Sequence, residues 1–249
     1  MSAFFPSKFF IDNLCTSMET KMQILKHPRT LRSFGRVKAR PLTDQQQHLI
    51  DHLLPQLCVT PLHDGQWEAW AAPYHAVWLE IGFGGGEHLV SIAQRYPEIL
   101  CLGAEPFLNG VAQCLRGIDE AKITNIALHP HDVHPLLDAM PDAYLNRVDI
   151  LFPDPWRKRA HYKRRIINPA LLARLSRIMR PHASLWIATD HRDYAAWIAR
   201  HCTEQTAFTW VNQEDGATPP NDWHPTRYQM KAEAQGIAPV FFHLTRSST

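Results

Sequence analysis

Val77-Trp78-Leu79-Glu80-Ile81-Gly82-Phe83-Gly84-Gly85-Gly86-Glu87-His88-Leu89 decides the fold of this chain. An apolar run ends at Glu80 and breaks into four glycines within five positions, and an apolar-periodic segment from Leu89 to Tyr96 follows at once. The pattern predicts a buried parallel strand, a tight turn and the first turn of a helix. Glycine accepts positive φ and lets a ligand lie against the backbone, so Gly82, Gly84 and Gly86 are candidate ligand-binding positions. In open α/β sheets the crevice beyond the first strand is where nucleotide-like ligands sit.

The charge of the ligand follows from the acids. A dinucleotide fingerprint needs G-x-G-x-x-G, and its last position counted from Gly82 is Glu87. With Glu80 ahead of the turn, two carboxylates flank it, which disfavours a pyrophosphate and suits a ligand with cationic groups. S-adenosylmethionine has an ammonium, a sulfonium and a ribose, and no phosphate. Glu105 closes the next apolar run, Ile99 to Ala104, where a ribose-binding acid is expected.

A chain of 249 residues suits one α/β domain with a short extension. A net charge of +2 by itself implies no nucleic-acid partner. Five cysteines without a C-x-x-C pair are expected to be reduced thiols in a cytoplasmic protein. No apolar run approaches membrane-spanning length, and Asp12 interrupts the phenylalanine-rich start, so neither a membrane partner nor a signal peptide is expected.

Residues 1–25 match nothing later. They read as a disordered arm, a stretch ahead of a start at Met18 or Met22, or a flap on the core. Residues 26–56 read as a basic arm, with Lys26, Arg29, Arg32, Arg36, Lys38 and Arg40, followed by a helix that Thr43 caps and Pro55 ends. Residues 57–249 form the catalytic domain, with 57–73 unpatterned. Strands at 77–81, 99–104, 124–129, 147–152, 183–189, 207–212 and 239–246 alternate with helices at 86–95, 107–117, 133–139, 168–179, 192–203 and 226–235. This alternation predicts a Rossmann-like, doubly wound, mostly parallel sheet with helices on both faces. Asp132, just past the third strand, is placed to accept from an adenine amine. His129, His131, Asp132 and His134 lack a cysteine partner, and no metal is expected there.

The second informative stretch is Asp149-Ile150-Leu151-Phe152-Pro153-Asp154-Pro155-Trp156, continuing into Arg157-Lys158-Arg159-Ala160-His161-Tyr162-Lys163-Arg164-Arg165. A buried strand runs into a turn stiffened by two prolines, which holds Asp154 at the carboxyl edge of the sheet. There a carboxylate can accept N–H bonds from a heterocycle. Six Lys or Arg within nine residues, Lys158, Lys163, Arg164 and Arg165 among them, suit phosphates, and the interleaved aromatic Tyr162 can stack on a base.

These stretches resemble the bacterial tRNA (guanine-N7)-methyltransferases. The matching pieces are Arg32-Ser33-Phe34-Gly35-Arg36, Leu79-Glu80-Ile81-Gly82-Phe83-Gly84, Phe152-Pro153-Asp154-Pro155-Trp156 with its basic tail, Ala188-Thr189-Asp190 and Pro225-Thr226-Arg227-Tyr228. The resemblance spans roughly residues 30 to 246. It implies a seven-stranded methyltransferase sheet whose last strand is antiparallel. It also implies methyl transfer from S-adenosylmethionine to N7 of a guanine in the variable loop of tRNA, at tRNA position 46, with no metal. Carried over by motif, Glu80, Glu105, Asp132 and Asp154 contact the cofactor, and Asp154 is catalytic. Lys158, Asp190, Thr226, Arg227, Tyr228 and Gln229 contact the tRNA or its guanine. The expected partner is tRNA, and a monomer or homodimer with no obligate protein partner is expected.

One departure concerns Gln229, where the family motif usually has Glu. A Gln keeps the carbonyl acceptor and loses the charge, so restoring Glu is expected to leave activity equal or higher. Two rival readings share the scaffold: another S-adenosylmethionine-dependent methyltransferase, against which the basic loop argues, and a non-catalytic RNA-binding protein, against which the four acids argue. Glu87 disfavours a nicotinamide dehydrogenase.

Overall fold

The computed structural model describes residues 40–62, 65–211 and 218–248. The arm at 1–25 and all of the basic arm except Arg40 lie outside the described residues. Seven strands among them form one sheet: β1 (Ala76–Ile81), β2 (Ile99–Ala104), β3 (Ile126–His129), β4 (Leu145–Leu151), β5 (Met179–Thr189), β6 (Phe208–Trp210) and β7 (Val240–Arg246). Their order is β3-β2-β1-β4-β5-β7-β6. β1 to β5 run parallel, and β7 lies antiparallel between β5 and β6. The expected architecture, antiparallel last strand included, is therefore the observed one. β2 is buried at every position, as a strand covered on both faces must be.

Around the sheet lie α1 (Asp44–His52), α2 (Leu54–Leu57), α3 (Gln66–Ala71), α4 (Glu87–Arg95), α5 (Leu108–Ala121), α6 (Val133–Ala139), α7 (Pro169–Ile178), α8 (Arg192–Thr203) and α9 (Arg227–Glu233). Thr43 caps α1 through a capping box: its hydroxyl accepts from Gln46 N at 3.3 Å, while Gln46 Oε1 accepts from Thr43 N at 3.1 Å. Pro55 does not simply end this helix. α1 stops at His52, and the proline occupies the opening turn of α2, where its missing N–H costs nothing. Residues 66–71, within the stretch expected to be unpatterned, form α3. Its Trp67 is buried in the main core, and its carbonyl accepts from Tyr144 Oη at 3.0 Å.

The two faces of the sheet are built differently. Val77, Leu79, Ile81, Val148, Ile150, Leu185 and Ile187 point into one large core that includes α6, α7 and α8. On the opposite face α4 and α5 cover the β1–β3 side with Leu89, Ile92, Val111, Leu115 and Ile118. No long helix of the described residues follows there over β4 and β5. Instead Trp186, Ala188 and Phe241 pack against Trp223, so the segment leading into α9 closes the sheet. β5 begins at Met179, four residues ahead of the expected 183, and residues 180–182 bulge out where the β4–β5 register shifts between Leu145 and Arg147.

Candidate active site

The chain leaves β1 for β2 on one side and reaches β4 on the other, so the carboxyl ends of β1 and β4 mark the topological switch point. A cavity of about 540 Å³ opens there. Its floor is Ile81, Gly82 and Gly84. Ala104, Glu105, Pro106 and Phe107 form one wall, with Val133 beyond, and Leu151 through Asp154 with Trp156 and Arg164 form the other. Tyr228 reaches over from α9.

Gly82 and Gly84 have φ of 78° and 55°, in the left-handed region that admits glycine without strain. Gly86 caps α4 at φ 79°, and a Cβ there would stand 2.4 Å from Cys114 Sγ. The turn is also tied from outside: Glu105 Oε2 accepts from Gly84 N at 2.9 Å, and Oε1 accepts from Phe107 N at 2.8 Å. Burial raises the Glu105 pKa against the pull of these two amides. Glu105 thus faces the cavity while joining the two loops that shape it.

The other acids are placed differently. Glu80 is 3% exposed, is absent from the cavity wall and lies 3.2 Å from His88 Nδ1. Asp132 caps α6, its Oδ1 accepting from His134 N at 3.0 Å, while its neighbour Val133 lines the cavity. Asp154 stands on the cavity wall, exposed. Asp190 follows β5 at the same sheet edge, with Thr189 Oγ1 accepting from His191 N at 3.2 Å. Among the described residues no three His, Cys, Asp or Glu side chains converge to hold a metal. His129 has both ring nitrogens against carbonyls, Val59 O at 2.9 Å and Asp132 O at 3.0 Å.

The basic loop is only partly a surface. Arg157, Lys158, Arg159 and Lys163 are exposed, and Arg164 lies 4.9 Å over the Trp156 ring at the cavity. Arg165 is inside the protein. Tyr162, expected as a stacking face for a base, packs under the Arg165 guanidinium at 3.7 Å and edge-on to Trp197. In the late motif Thr226 caps α9 by accepting from Gln229 N at 3.2 Å, and Arg227 Nε lies 3.4 Å from Glu87. Tyr228 is 57% exposed and sits where it would meet a Cβ on Gly84 at 3.6 Å.

Gln229 is buried, with both ends of its amide engaged. Its Oε1 accepts from Trp223 Nε1 at 2.7 Å, and its Nε2 donates to Glu233 Oε1 at 2.8 Å. A Glu at 229 could still accept from the indole but would set a second carboxylate against Glu233, one helical turn on. Gln229→Glu is therefore expected to cost about 0.5–1.5 kcal/mol of stability, through a lost hydrogen bond and a like-charge pair. This cost in stability stands beside the sequence expectation, which concerned activity. A melting temperature equal to or above the parent's would refute the cost.

Beneath the turn lies a buried ionic cluster that the sequence reading missed. Arg147 Nε donates to Asp149 at 2.9 Å and its Nη1 to Asp222 at 2.7 Å, with the guanidinium 4.8 Å over Trp78. Glu80 pairs across the β1–β4 ladder with Asp149. The available signal was Arg147 and Asp149 two apart, on one face of the strand. Burial alone pushes the His88 pKa down, but the hydrogen bond and charge of Glu80, joined by Asp149, outweigh it, so the pKa ends above the ordinary 6.5. Above that ordinary value the folded state keeps a proton that the unfolded chain has released, so raising the pH through the folded pKa removes stability. The melting temperature should fall as the pH rises above about 6.5, and His88→Asn should flatten the slope. An equal slope in the variant would exclude His88 as its source.

Comparison with known proteins gives the class and then the family. Residues 74–240 match the family described as "Putative methyltransferase". The 16S rRNA methyltransferase KamB covers 76% of this chain and 96% of its own at a TM-score of 0.56 and 15% identity, a likeness of fold. Sheet, switch-point cavity and family match make this chain a methyltransferase of the seven-stranded, Rossmann-like class. A protein from Caulobacter vibrioides (strain NA1000 / CB15N) named tRNA (guanine-N(7)-)-methyltransferase is 46% identical over 217 residues, covering 87% of this chain and 95% of that protein. One of the same name from Rhodospirillum rubrum is 41% identical over 223 residues, covering 86% and 88%. The chain belongs to the tRNA (guanine-N(7)-)-methyltransferase family. No helix among the described residues is long and apolar enough to cross a membrane.

Proposed function

We propose that the chain transfers a methyl group from S-adenosylmethionine to N7 of the guanine at position 46 in the variable loop of tRNA, forming 7-methylguanosine, in the cytoplasm. One observation carries this reading beyond the family: Asp154 stands on the wall of a cavity floored by the glycine turn, with exposed cations following directly on the same loop.

The residues present suit the donor. Gly82 and Gly84 leave their backbone open to close approach. Ile81, Ala104, Phe107, Val133 and Leu151 give an apolar slot for a purine, and Glu105 and Asp154 supply negative charge beside it. Glu105 keeps unused lone pairs that could accept ribose hydroxyls after its two amide bonds. Glu80 acts from below, holding the turn through His88. When bound, S-adenosylmethionine supplies an activated methyl group on a sulfonium.

Guanine N7 has an in-plane lone pair and no proton, so no general base is needed to create the nucleophile. The protein positions the base. Asp154 accepts the purine N–H groups and stabilises the positive charge that develops on the ring. Tyr228 offers an exposed aromatic face at the mouth. Arg157, Lys158, Arg159 and Lys163 bind phosphates, offsetting the few kcal/mol needed to expose a base held in tRNA tertiary structure. An enzyme for small acceptors would have no use for that exposed row. Mass spectrometry of nucleosides from tRNA incubated with the protein and S-adenosylmethionine should show 7-methylguanosine at position 46; its absence, with other nucleosides methylated, would refute the proposal.

A further inference from the structure

We propose that Arg165 is a positioning residue for Asp154 and not a contact to RNA; the inference rests on the role assigned to Asp154 above. A phosphate contact needs an accessible guanidinium, and the Arg165 side chain is 0% exposed. It sits among three rings, 3.7 Å from Tyr162, 4.9 Å from Tyr194 and 5.1 Å from Trp197. Its Nε donates to Pro155 O at 2.9 Å and its Nη2 to the Asp193 carboxylate in the first turn of α8. Arg165 therefore joins the Pro155–Trp156 peptide, one residue past Asp154, to a rigid helix.

The loop needs that tie. Two non-glycine residues with positive φ bracket Asp154, Phe152 at 51° and Trp156 at 45°. Such conformations cost energy and persist only where their surroundings impose them. The first is imposed by Phe152 N donating to Ala188 O at 2.8 Å, which continues the β4–β5 ladder. The second adjoins the Pro155 carbonyl that Arg165 holds. Without Arg165 the Trp156 half of the turn can relax to negative φ, and Asp154 swings with it. The aromatic cage explains why an arginine serves here. Its planar cation can stack on rings and still direct separate N–H groups at a carbonyl and a carboxylate, which a lysine cannot match.

The test compares Arg165→Met with Lys163→Ala on the full chain, reading kcat, the KM for tRNA, cofactor affinity by calorimetry and the salt dependence of tRNA binding. Arg165→Met should lose on the order of 10²-fold in kcat, the scale of a small misplacement of a reacting group. Its salt slope should stay unchanged and its cofactor affinity should fall no further than that of Asp154→Ala, whereas Lys163→Ala should flatten the slope by about one. In an Asp154→Ala background Arg165→Met should add little further loss, because both changes act through one side chain. Unchanged kcat in Arg165→Met, a flattened salt slope, or full additivity with Asp154→Ala would each overturn the proposal. Wild-type turnover of Asp154→Ala alone would instead refute the role of Asp154. Should Arg165→Met fail to fold, Asp193→Ala, at the half-exposed end of the tie, should lower kcat with the salt slope intact, and a normal kcat there would overturn the proposal.

Discussion

Asp154→Ala should lower methyl transfer at saturating S-adenosylmethionine and tRNA by at least about 10²–10³-fold, the scale seen when one preorganised electrostatic group is removed from an active site. The fold should survive. Asp154 is exposed on the loop that follows β4, where substitutions cost little stability, so the melting temperature should stay close to the parent's. Binding of tRNA should change little, since the exposed cations of the same loop remain. Asp154→Asn separates the two contributions. Asn keeps an acceptor for the purine N–H groups but carries no charge, so its rate should fall between those of the parent and the alanine variant. Single-turnover measurement of 7-methylguanosine checks both, and turnover of Asp154→Ala within tenfold of the parent would remove this residue from the mechanism.

The largest effect on stability should come from Arg147→Met. The Arg147, Asp149 and Asp222 side chains are 7%, 5% and 10% exposed, and the arginine is the common partner of both acids. Its removal leaves two carboxylates in a site that Glu80 already makes negative. Breaking a buried ion pair from one side costs about 3–5 kcal/mol, a large fraction of the roughly 5–15 kcal/mol that holds a domain folded. The melting temperature should fall by roughly 6–20 °C for a chain of this size. The damage should reach the cavity too, because Asp222 bolts down the segment that carries Trp223 and Tyr228 over the glycine turn. Cofactor affinity should drop along with stability. Adding Asp149→Asn and Asp222→Asn to Arg147→Met should recover most of the melting temperature, since no unpaired charge then remains. A single variant that melts within roughly 2 °C of the parent would show that the cluster contributes little.

Much of the site can be read along the chain because its parts are local. The glycine turn needs φ values that few other residues adopt, and it announces itself within five positions. The proline-flanked Asp154 is similar, since its loop is stiffened by its own neighbours. Glu105 follows β2 directly, where strand direction alone brings it to the crevice. The order of elements likewise gave the parallel sheet, because alternating strands and helices leave few chain paths open.

What the linear pattern did not carry are the residues whose role depends on a distant partner. Six cations in nine positions look alike in sequence. Only packing separates Arg165, enclosed by rings from the same loop and from α8, from its exposed neighbours. Gln229 reads in its motif as a substrate contact, and nothing along the chain shows that Trp223 and Glu233 engage its amide. Glu80 reads as a cofactor ligand by its place ahead of the turn, and only the fold shows its carboxylate 3.2 Å from His88 Nδ1. Local backbone constraint, which period and glycine placement report, determined the sheet, the turn and the acidic loop. The direction each charged side chain takes was decided by tertiary packing, because a buried charge must find its counter-charge wherever the fold has brought one near, here as far along the chain as Arg147 is from Asp222.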